Sequence, residues 1–500
     1  MTSSQVMITR VPHSILRSRI DSGFYAPEHL ERERRLRQLG VVRPAIGETA
    51  SLVTDGTHKT PNYVENGVPF LSATNISDSA LTFADHRFVS RAEFLQLRAW
   101  NCAPLPNDVV VAKSGSIGNA AVVPSHAPEF AVFESVAIVR CDRFDPYYLA
   151  TFLNSRIGQQ EIKRQTKGAV IRHLHLEDLR EVEVPEFSKE AQCYIGDKVR
   201  QAERLSERAR RLEAEFRSAA TVAIPSSSLM AGKTSRVVTG ELGRNLNPGA
   251  YTPNRRAVRA AIRGAGGRTL DTLADVESPT TDNYPATAPY LGLDAIDSAT
   301  CGLKPSTAGA EAVAGTARLL REGPALSRLR PYLNKVTYIP PTLAGGIGST
   351  ELLLVRPKAG VDGWFLYGVL KLKSSVRQLN PVATGSTHPR VDREDVLDLL
   401  VPWRDEHEAL GAKLRAAQAC YLASAALTAT ATTLVEHIID VRMTEAELVA
   451  AQKAIEAGDR SADREILKAL VQGDIPDAKP VIPNVDALYA LLDGPEGPDA

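Results

Sequence analysis

Apolar residues recur three or four positions apart along the charged segment 190–220. They are Ile195, Val199, Ala202, Leu205, Ala209, Leu212 and Phe216. This spacing places them in one narrow stripe along an α-helix. A single helix cannot shield such a stripe from water, so the pattern predicts a long helix that needs a partner.

A second segment, 406–442, supplies that partner. Leu410, Leu414, Ala417 and Tyr421 continue a stripe at helical spacing, and many alanines around them allow two helices to approach closely. We expect the two helices to pair antiparallel within one chain and to hold the regions before them at a fixed distance. Two other arrangements satisfy the same pattern: a coiled coil between two copies of the chain, and two helices that each pack on their own domain.

Each long helix is preceded by short β-branched runs that glycine and proline interrupt, which are typical of strands. The runs are VVVAKSG, NAAVVP and ESVAIVRC in the first half, and KVTYIPP and TELLLVRP in the second. The stretch PYYLATFLNSRIGQQEIKRQ, after the first set, has apolar residues at helical spacing. The predicted fold class of both halves is α+β.

The second half of the chain repeats the first. Four pairs of matching residues are each separated by 217 positions: Glu134 and Glu351, Asp145 and Asp362, Gly168 and Gly385, and Pro185 and Pro402. Nearer the N-terminus, Tyr25 and Tyr251 are 226 positions apart, as insertions in loops would produce. Two copies are too few for a solenoid, so each copy is predicted to be a domain of roughly 140 residues.

The repeat also predicts how the chain is divided. The predicted segments are 1–40, an N-terminal segment near the helices; 41–189, the first domain; 190–220, the first spacer helix; 221–265, a linker and the start of the second copy; 266–405, the second domain; 406–442, the second spacer helix; and 443–500, a C-terminal helix with a mobile tail.

Composition narrows the class of protein. The 500 residues are 43% hydrophobic and 24% charged, as in ordinary globular domains. A net charge of zero argues against a uniformly basic coat but permits local basic loops. The five cysteines form no CxxC pair, which indicates neither a zinc site nor a disulfide framework. No signal-type cleavage site or run approaching the roughly 20 apolar residues of a membrane span is seen, so a cytoplasmic protein is predicted.

Basic residues cluster in spite of the zero net charge. Two clusters occupy equivalent places in the repeat, which is not expected of a merely solvated surface, and cations at such places can bind DNA phosphates. The predicted DNA contacts are Lys163, Arg164, Lys167 and Arg172 in the first copy; Lys371, Lys373, Arg377 and Arg390 in the second; and Arg328, Arg330 and Lys335 just before the latter group.

A polar loop between a glycine and a proline is a further candidate. Thr57, His58, Lys59 and Thr60 offer short donors and a cation, which suit phosphates and base edges. The alternative is a solvated turn that leads into a strand. Lys113, in the glycine-punctuated turn KSGSIG, is also counted among the predicted DNA contacts.

Catalytic motifs are absent from the sequence. No segment matches the (Asn/Asp)-Pro-Pro-(Tyr/Phe) motif of methyltransferases, and AGKTS lacks the first glycine of a phosphate-binding loop. His173 and His175 have no further ligand cluster, so a metal site is not expected. The chain is predicted to bind without catalysis and to carry no cofactor or metal of its own.

These motifs, in the order domain, helix, domain, helix, resemble the DNA-specificity subunits of type I restriction–modification systems. The likeness covers about residues 20–440 and rests on DGTHKTP with VPFLSATNI, VVVAKSGSIGNAAVV, TKG at 166–168, and LSRLRPYLNKV with STELLLVRP. The second copy has SPTTDNYPATAPYLGLDAI in place of the first polar loop. Residues beyond about Val441 have no counterpart.

The resemblance implies a function. Each α+β domain would be a target-recognition domain that reads one half of a bipartite, asymmetric site in double-stranded DNA. The helices would dock two methyltransferase subunits, which use S-adenosylmethionine. Where the complex restricts DNA, a separate helicase-nuclease subunit would use ATP and Mg.

Two other functions are consistent with the residues. A structural adaptor of another multi-subunit defence complex would use the helices for assembly without reading a DNA sequence. An enzyme with an unfamiliar site would need a convergent cluster of titratable residues, and the sequence shows none.

Overall fold

A computed structural model describes residues 10–13, 16, 23–38, 40–77, 79–83, 85–165, 173–224, 236–238, 246–304, 306, 309–472 and 484–494. The chain divides into two compact units. The described residues of Met1–Arg204 and Ser424–Gly494 form unit 1, and those of Leu205–Ala423 form unit 2. The boundaries between the units therefore fall inside two long helices.

The helices are α1 Pro27–Gln38, α2 Ile46–Thr49, α3 Arg91–Ala99, α4 Pro146–Asn154, α5 Arg156–Gln165, α6 Leu176–Arg180, α7 Lys189–Ala220, α8 Pro253–Gly264, α9 Leu270–Leu273, α10 Gly363–Lys371, α11 Lys373–Leu379, α12 Arg393–Leu397, α13 His407–Ile439, α14 Glu445–Glu456, α15 Ser461–Gln472 and α16 Val485–Leu492.

The strands are β1 Leu52–Asp55, β2 Tyr63–Val64, β3 Val68–Leu71, β4 Ile76–Ser77, β5 Ala80–Leu81, β6 Arg87–Val89, β7 Val109–Ala112, β8 Ala120–Val122, β9 Ala131–Val132, β10 Val136–Arg140, β11 Arg268–Thr269, β12 Ala274–Glu277, β13 Thr280–Thr281, β14 Tyr290–Leu291, β15 Ala317–Leu319, β16 Gly323–Ser327, β17 Val336–Ile339, β18 Ile347–Gly348, β19 Leu352–Pro357 and β20 Leu400–Val401. Helices and strands both occur in each unit, which confirms the α+β class.

The two units contain main sheets of the same design. Unit 1 has the antiparallel order β1-β10-β7-β8, and unit 2 has β12-β19-β16-β17. Corresponding residues pair in the same register: Val136–Ala112 and Leu352–Ser327 between the second and third strands, and Val111–Ala120 and Leu326–Val336 between the third and fourth. In these strands the corresponding residues are 215 or 216 positions apart, one or two fewer than the 217 between Glu134 and Glu351. The sequence repeat is therefore a repeat of strand order and register.

A smaller mixed sheet lies in each unit, and here the two copies differ. The order is β2-β6-β3-β9 in unit 1 and β13-β15-β18-β14 in unit 2. Each contains one parallel pair, β3 with β9 and β14 with β18. The main sheet is therefore the shared scaffold, whereas the smaller sheet varies.

The long helices α7 and α13 contact each other inside each unit. In unit 1 the Ser424 hydroxyl donates a 2.8 Å hydrogen bond to the Ala202 carbonyl. In unit 2 the Tyr421 hydroxyl donates to Glu213 at 3.3 Å, and Lys413 forms an ion pair with Glu215. Within unit 2, Tyr421 contacts Glu213, whereas Lys413, which is earlier in α13, contacts Glu215, which is later in α7. The two helices therefore run antiparallel in unit 2.

Close packing supports the helix α7 in unit 2. A side chain at Gly368 of α10 would collide with Phe216 and Leu414, because a Cβ there would lie 2.2 Å and 2.4 Å from their rings and methyls. Phe216, the last residue of the predicted apolar stripe, is buried. The stripe is therefore shielded by side chains of its own unit as well as by the other helix.

The helix α13 is long and apolar enough to cross a membrane by length and composition alone. The expectation that no stretch approaches a membrane span was therefore too strong. Leu427, Ala431 and Leu434 of this helix are buried within unit 1. A helix that packs in a core needs apolar residues at its buried positions, which accounts for these three.

Three helices, α14 to α16, follow α13 and join unit 1. Val441, two residues after the end of α13, has a φ of 59°, a left-handed conformation that is unusual for a β-branched residue. Leu448, Ala451 and Leu470 then enter the main core of unit 1. Where one helix and a mobile tail were predicted for 443–500, the described residues form the three helices α14, α15 and α16. Tyr489 of α16 is buried, and 473–483 and 495–500 lie outside the described residues.

Candidate nucleic-acid interface

Lys113 in unit 1 follows the buried strand β7, and its ammonium meets the carboxylate of Asp55 at the end of β1. Both side chains are mostly buried, with 9% and 13% of their surface exposed. The backbone of Lys113 also joins two other segments, since its N–H donates to Ser135 at 2.8 Å and its carbonyl accepts from Leu174 at 3.0 Å. Lys113 therefore ties three loops together beneath the surface.

The polar loop after β1 has a fixed base and an exposed tip. Buried Thr57 donates its N–H to Val132 at 3.1 Å, and its hydroxyl accepts the N–H of Lys59 at 3.1 Å. His58 is held between acids, 3.3 Å from Asp55 and 2.8 Å from Glu134. Lys59 and Thr60 are exposed. They are the residues of this loop that are best placed to meet a ligand.

The basic cluster on α5 divides into an exposed and a buried member. Lys163 is exposed, whereas Arg164 is 4% exposed and pairs with Glu33 at 2.9 Å. The Arg164 guanidinium also donates to the carbonyl of Phe24 at 3.0 Å and lies over its ring. Lys167 and Arg172 fall outside the described residues. Arg164 thus holds the N-terminal segment to α5.

Arg328 in unit 2 occupies the position of Lys113. It follows β16, its N–H donates to the Glu351 carbonyl at 2.9 Å, and its own carbonyl accepts from Val391 at 3.0 Å. Its side chain is 36% exposed and lies 3.2 Å from Asp392. The same backbone junction therefore carries a buried cation in unit 1 and a partly exposed one in unit 2.

A carboxylate organises the loop beside Arg328. Glu351 accepts hydrogen bonds from Arg390 Nη2 at 2.6 Å and Nε at 3.0 Å, and these bonds raise the pKa of Arg390. Thr384 and Arg390 exchange two backbone hydrogen bonds of 2.8 Å, which close the loop 384–390. Residues 384–388 are exposed. The loop is consequently fixed at its base and open to solvent at its tip.

Arg330 connects that loop to the hairpin between β16 and β17. Its backbone N–H donates to Pro389 at 2.7 Å, and its guanidinium donates to the Thr387 carbonyl at 3.3 Å. Its φ of 49° is left-handed, which turns the chain sharply before β17. Arg330 is thus a partly exposed cation held against the exposed loop.

Two predicted cations in unit 2 are turned inward. Lys335 donates to the Ile296 carbonyl at 2.5 Å. Lys371 donates to the carbonyls of Asp297 at 2.6 Å and Val336 at 3.0 Å, and also contacts that of Thr300. Burial lowers the pKa of Lys371 to about 8, an effect that the nearby Asp297 charge partly offsets. Both ammonium groups join loops of unit 2.

The structure brings together Arg328, Arg330 and Arg390 at one surface, and it leaves Lys59, Thr60, Lys163, Lys373 and Arg377 exposed. Four other predicted DNA contacts have their charged groups turned toward protein partners: Lys113, Arg164, Lys335 and Lys371. Thr57 is likewise part of the loop's base.

The organising carboxylates were missed by the sequence reading. Asp55 lies 58 positions from Lys113 and Glu351 lies 39 positions from Arg390, so no local pattern joins them. Glu351 did mark a block of the repeat, which was the one available signal. The match of Glu351 with Glu134 marked equivalent positions in the two copies, but it gave no sign that Glu351 pairs with Arg390.

Several solved structures are similar to the chain. The S subunit of a type I restriction–modification system from M. genitalium is 12% identical, covers 83% of this chain and 94% of its own, and gives a TM-score of 0.37. The HsdS subunit from Thermoanaerobacter tengcongensis is 14% identical, with coverages of 85% and 97% and a TM-score of 0.23. No family model and no curated protein matches the chain. The family that the sequence resembles is also the one named for these two structures.

Proposed function

We propose that this chain is the DNA-specificity subunit of a type I restriction–modification complex. Each unit reads one half of a bipartite site in double-stranded DNA. The antiparallel segments of α7 and α13 separate the two target-recognition domains and dock two methyltransferase subunits. A helicase-nuclease subunit joins where the complex restricts DNA.

The observation that carries the proposal is the shared main sheet with one cation-bearing junction per copy. Lys113 and Arg328 occupy equivalent positions, with the same two backbone hydrogen bonds. The exposed loops come from different positions in the repeat: unit 1 presents Lys59 and Thr60, and unit 2 presents residues 384–388. One scaffold that presents two different loops suits two different half-sites, because base readout depends on the side chains presented.

The charges support DNA as the ligand. Arg328, Arg330 and Arg390 gather at one surface around Glu351, and Arg390 and Arg328 remain about 40% and 36% exposed. Arginine in such settings serves both phosphates and guanine edges. The chain contributes recognition, whereas S-adenosylmethionine, ATP and Mg belong to the partner subunits.

A selection from random duplex DNA with the full chain tests this function. We expect enrichment of two short, different sequences that are separated by a gap of constant length. A single uninterrupted consensus would contradict two readers in one chain. No enrichment would favour the adaptor that assembles a complex without reading a sequence.

A further inference from the structure

The helix α8 of unit 2 corresponds to α1 of unit 1, but the two differ in charge. Both begin with proline at positions 226 residues apart. The sequence of α1, PEHLERERRLRQ, has four arginines and three glutamates, whereas that of α8, PNRRAVRAAIRG, has four arginines and no acid. The two helices therefore carry the same number of arginines, but only α1 has acids beside them.

In unit 1 the cations of α1 are neutralised locally. Arg34 and Arg35 pair with Glu31 at 2.7 Å and 3.2 Å. Arg37 pairs with Glu33 at 2.7 Å. The helix α5 adds another acid, because Glu161 accepts from Arg32 at 3.3 Å. Acids of the same helix therefore offset most of the positive charge of α1.

In unit 2 the positions that match Glu33 and Glu161 hold Arg259 and Gln378. Arg259 donates to the Gln378 side chain at 3.2 Å and to Asp398 at 3.1 Å. The same Asp398 also accepts from Arg255 at 2.9 Å. The single carboxylate of Asp398 thus pairs with two guanidinium groups, so the net charge around it is positive.

The neighbouring cations also affect the pKa of Arg259. Burial lowers the pKa of Arg259, Asp398 offsets part of this effect, and the charges of Arg255 and Arg263 lower it again. Arg263 is close enough to Arg259 to repel it electrostatically. A bound anion would relieve that repulsion.

The adjoining helix α11 extends this charge. It lies against α8, since the Arg255 guanidinium donates to the Gln378 carbonyl at 3.0 Å. Its Lys373 and Arg377 are exposed and stand one helical turn apart. Within the described residues, Lys373, Arg377 and Arg263 form no ion pair.

We propose that α8 and α11 of unit 2 form a phosphate-binding surface for the backbone of duplex DNA, with Arg263, Lys373 and Arg377 as its exposed cations. Unpaired cations release counterions from DNA when they bind phosphates, which yields affinity without sequence preference. In the described part of unit 1, the matching helices α1 and α5 carry acids of their own. The identity of the polyanion as duplex DNA rests on the proposed function.

The surface is tested with a fluorescein-labelled duplex of scrambled sequence, about 30 base pairs long, titrated with the full chain between 50 and 200 mM salt. The probe variant combines Arg263→Ala, Lys373→Ala and Arg377→Ala. We expect the slope of log K against log salt to flatten by about 0.9 for each phosphate contact. The affinity lost across this salt range then shrinks by about 3.5-fold per contact, or about 40-fold for three.

The matched control removes the same charge from α1 with Arg34→Ala, Arg35→Ala and Arg37→Ala, and it should keep nearly the wild-type slope. A second variant, Arg263→Lys, Lys373→Arg and Arg377→Lys, retains the charge and should also keep it. An unchanged slope in the probe variant, or an equal fall in the control, overturns the proposal.

The outcome also separates this surface from the proposed function. If the slope flattens in the probe variant but the selection yields no split consensus, the phosphate-binding surface is supported and the proposed sequence recognition is contradicted. If the selection yields a split consensus but the slope is unchanged in the probe variant, sequence recognition is supported and the phosphate-binding surface is contradicted.

Discussion

The position of the partner acid decides whether a basic side chain of this molecule is buried in an ion pair or exposed to solvent. Lys113 and Arg164 looked like surface cations in the sequence, yet Asp55 and Glu33 draw them inside. Basic character was therefore predictable from the sequence, but its location was not, because each partner acid is distant along the chain. Lys59 and Thr60 remain exposed, as expected of a loop that meets a ligand.

The buried pair of Lys113 and Asp55 makes a prediction about stability. Replacement Lys113→Met leaves the Asp55 carboxylate buried without its cation, which should lower the free energy of unfolding by about 3–5 kcal/mol. Urea denaturation followed by circular dichroism measures this change. The control Lys59→Met alters an exposed residue and should stay within about 0.5 kcal/mol of wild type. Equal midpoints for both variants would contradict a structural role for Lys113.

At the scale of elements, the sequence predicted the long periodic helix α7 but not the short helix α16. The stripe that ends at Phe216 predicted a helix over 190–220, and α7 spans Lys189–Ala220. The helix α16 was missed because only the eight residues Val485–Leu492 form it, within a segment rich in proline and glycine. It is held by a tertiary contact, since the Tyr489 hydroxyl donates to Asp463. Contacts of this kind leave no periodic signal in the sequence.

Asp463 anchors the C-terminal helices to α7. It accepts hydrogen bonds of 2.6 Å from both Lys198 and the Tyr194 hydroxyl, and 3% of the residue is exposed. Burial alone would raise the pKa of Asp463, but the charge and hydrogen bond of Lys198, with help from the tyrosines, outweigh it, and the pKa is lowered. The carboxylate is therefore stabilised by folding in its ionised form.

This anchor predicts a dependence of stability on pH. Because folding lowers the pKa of Asp463, its contribution is complete above the ordinary aspartate pKa of about 4 and is lost as pH falls through the native value. Asp463→Asn should lower the free energy of unfolding by about 3–5 kcal/mol at pH 7, because it leaves the buried ammonium of Lys198 without its carboxylate. Urea unfolding at neutral and acid pH should show this difference shrinking with acidification. Glu465→Gln, an exposed change on α15, is the control, and a difference that stays constant with pH would refute the anchor.

At the scale of the whole molecule, the duplication was readable from the sequence because matched residues kept their spacing. The details that distinguish the copies were not readable. They reside in contacts such as Glu351 with Arg390, and in the different partners of Glu33 and Arg259, which are Arg164 and Asp398. Each copy thus keeps one backbone junction while the groups around it change.

This division predicts that a change in one unit affects one half of the DNA site. Glu351→Gln keeps the shape of the side chain but removes the charge that positions Arg390 and the loop 384–390. Selection with this variant should relax one half-site by about 1–3 kcal/mol of discrimination, and should leave the other half and the gap unchanged. The exposed change Glu394→Gln in the same unit should leave both halves as they are. Loss of preference in both halves would show that Glu351 supports folding and not readout.

The division of the chain has a consequence for its synthesis. Unit 1 begins at the N-terminus, is interrupted by unit 2 from Leu205 to Ala423, and resumes at Ser424. Leu36, Leu434 and Leu470 share one of its cores, so that core cannot close until the ribosome has released α15. Unit 2 has its described residues available earlier, so the domain translated first is the one completed last, and chaperones would meet its unfinished half as a long-lived nascent intermediate.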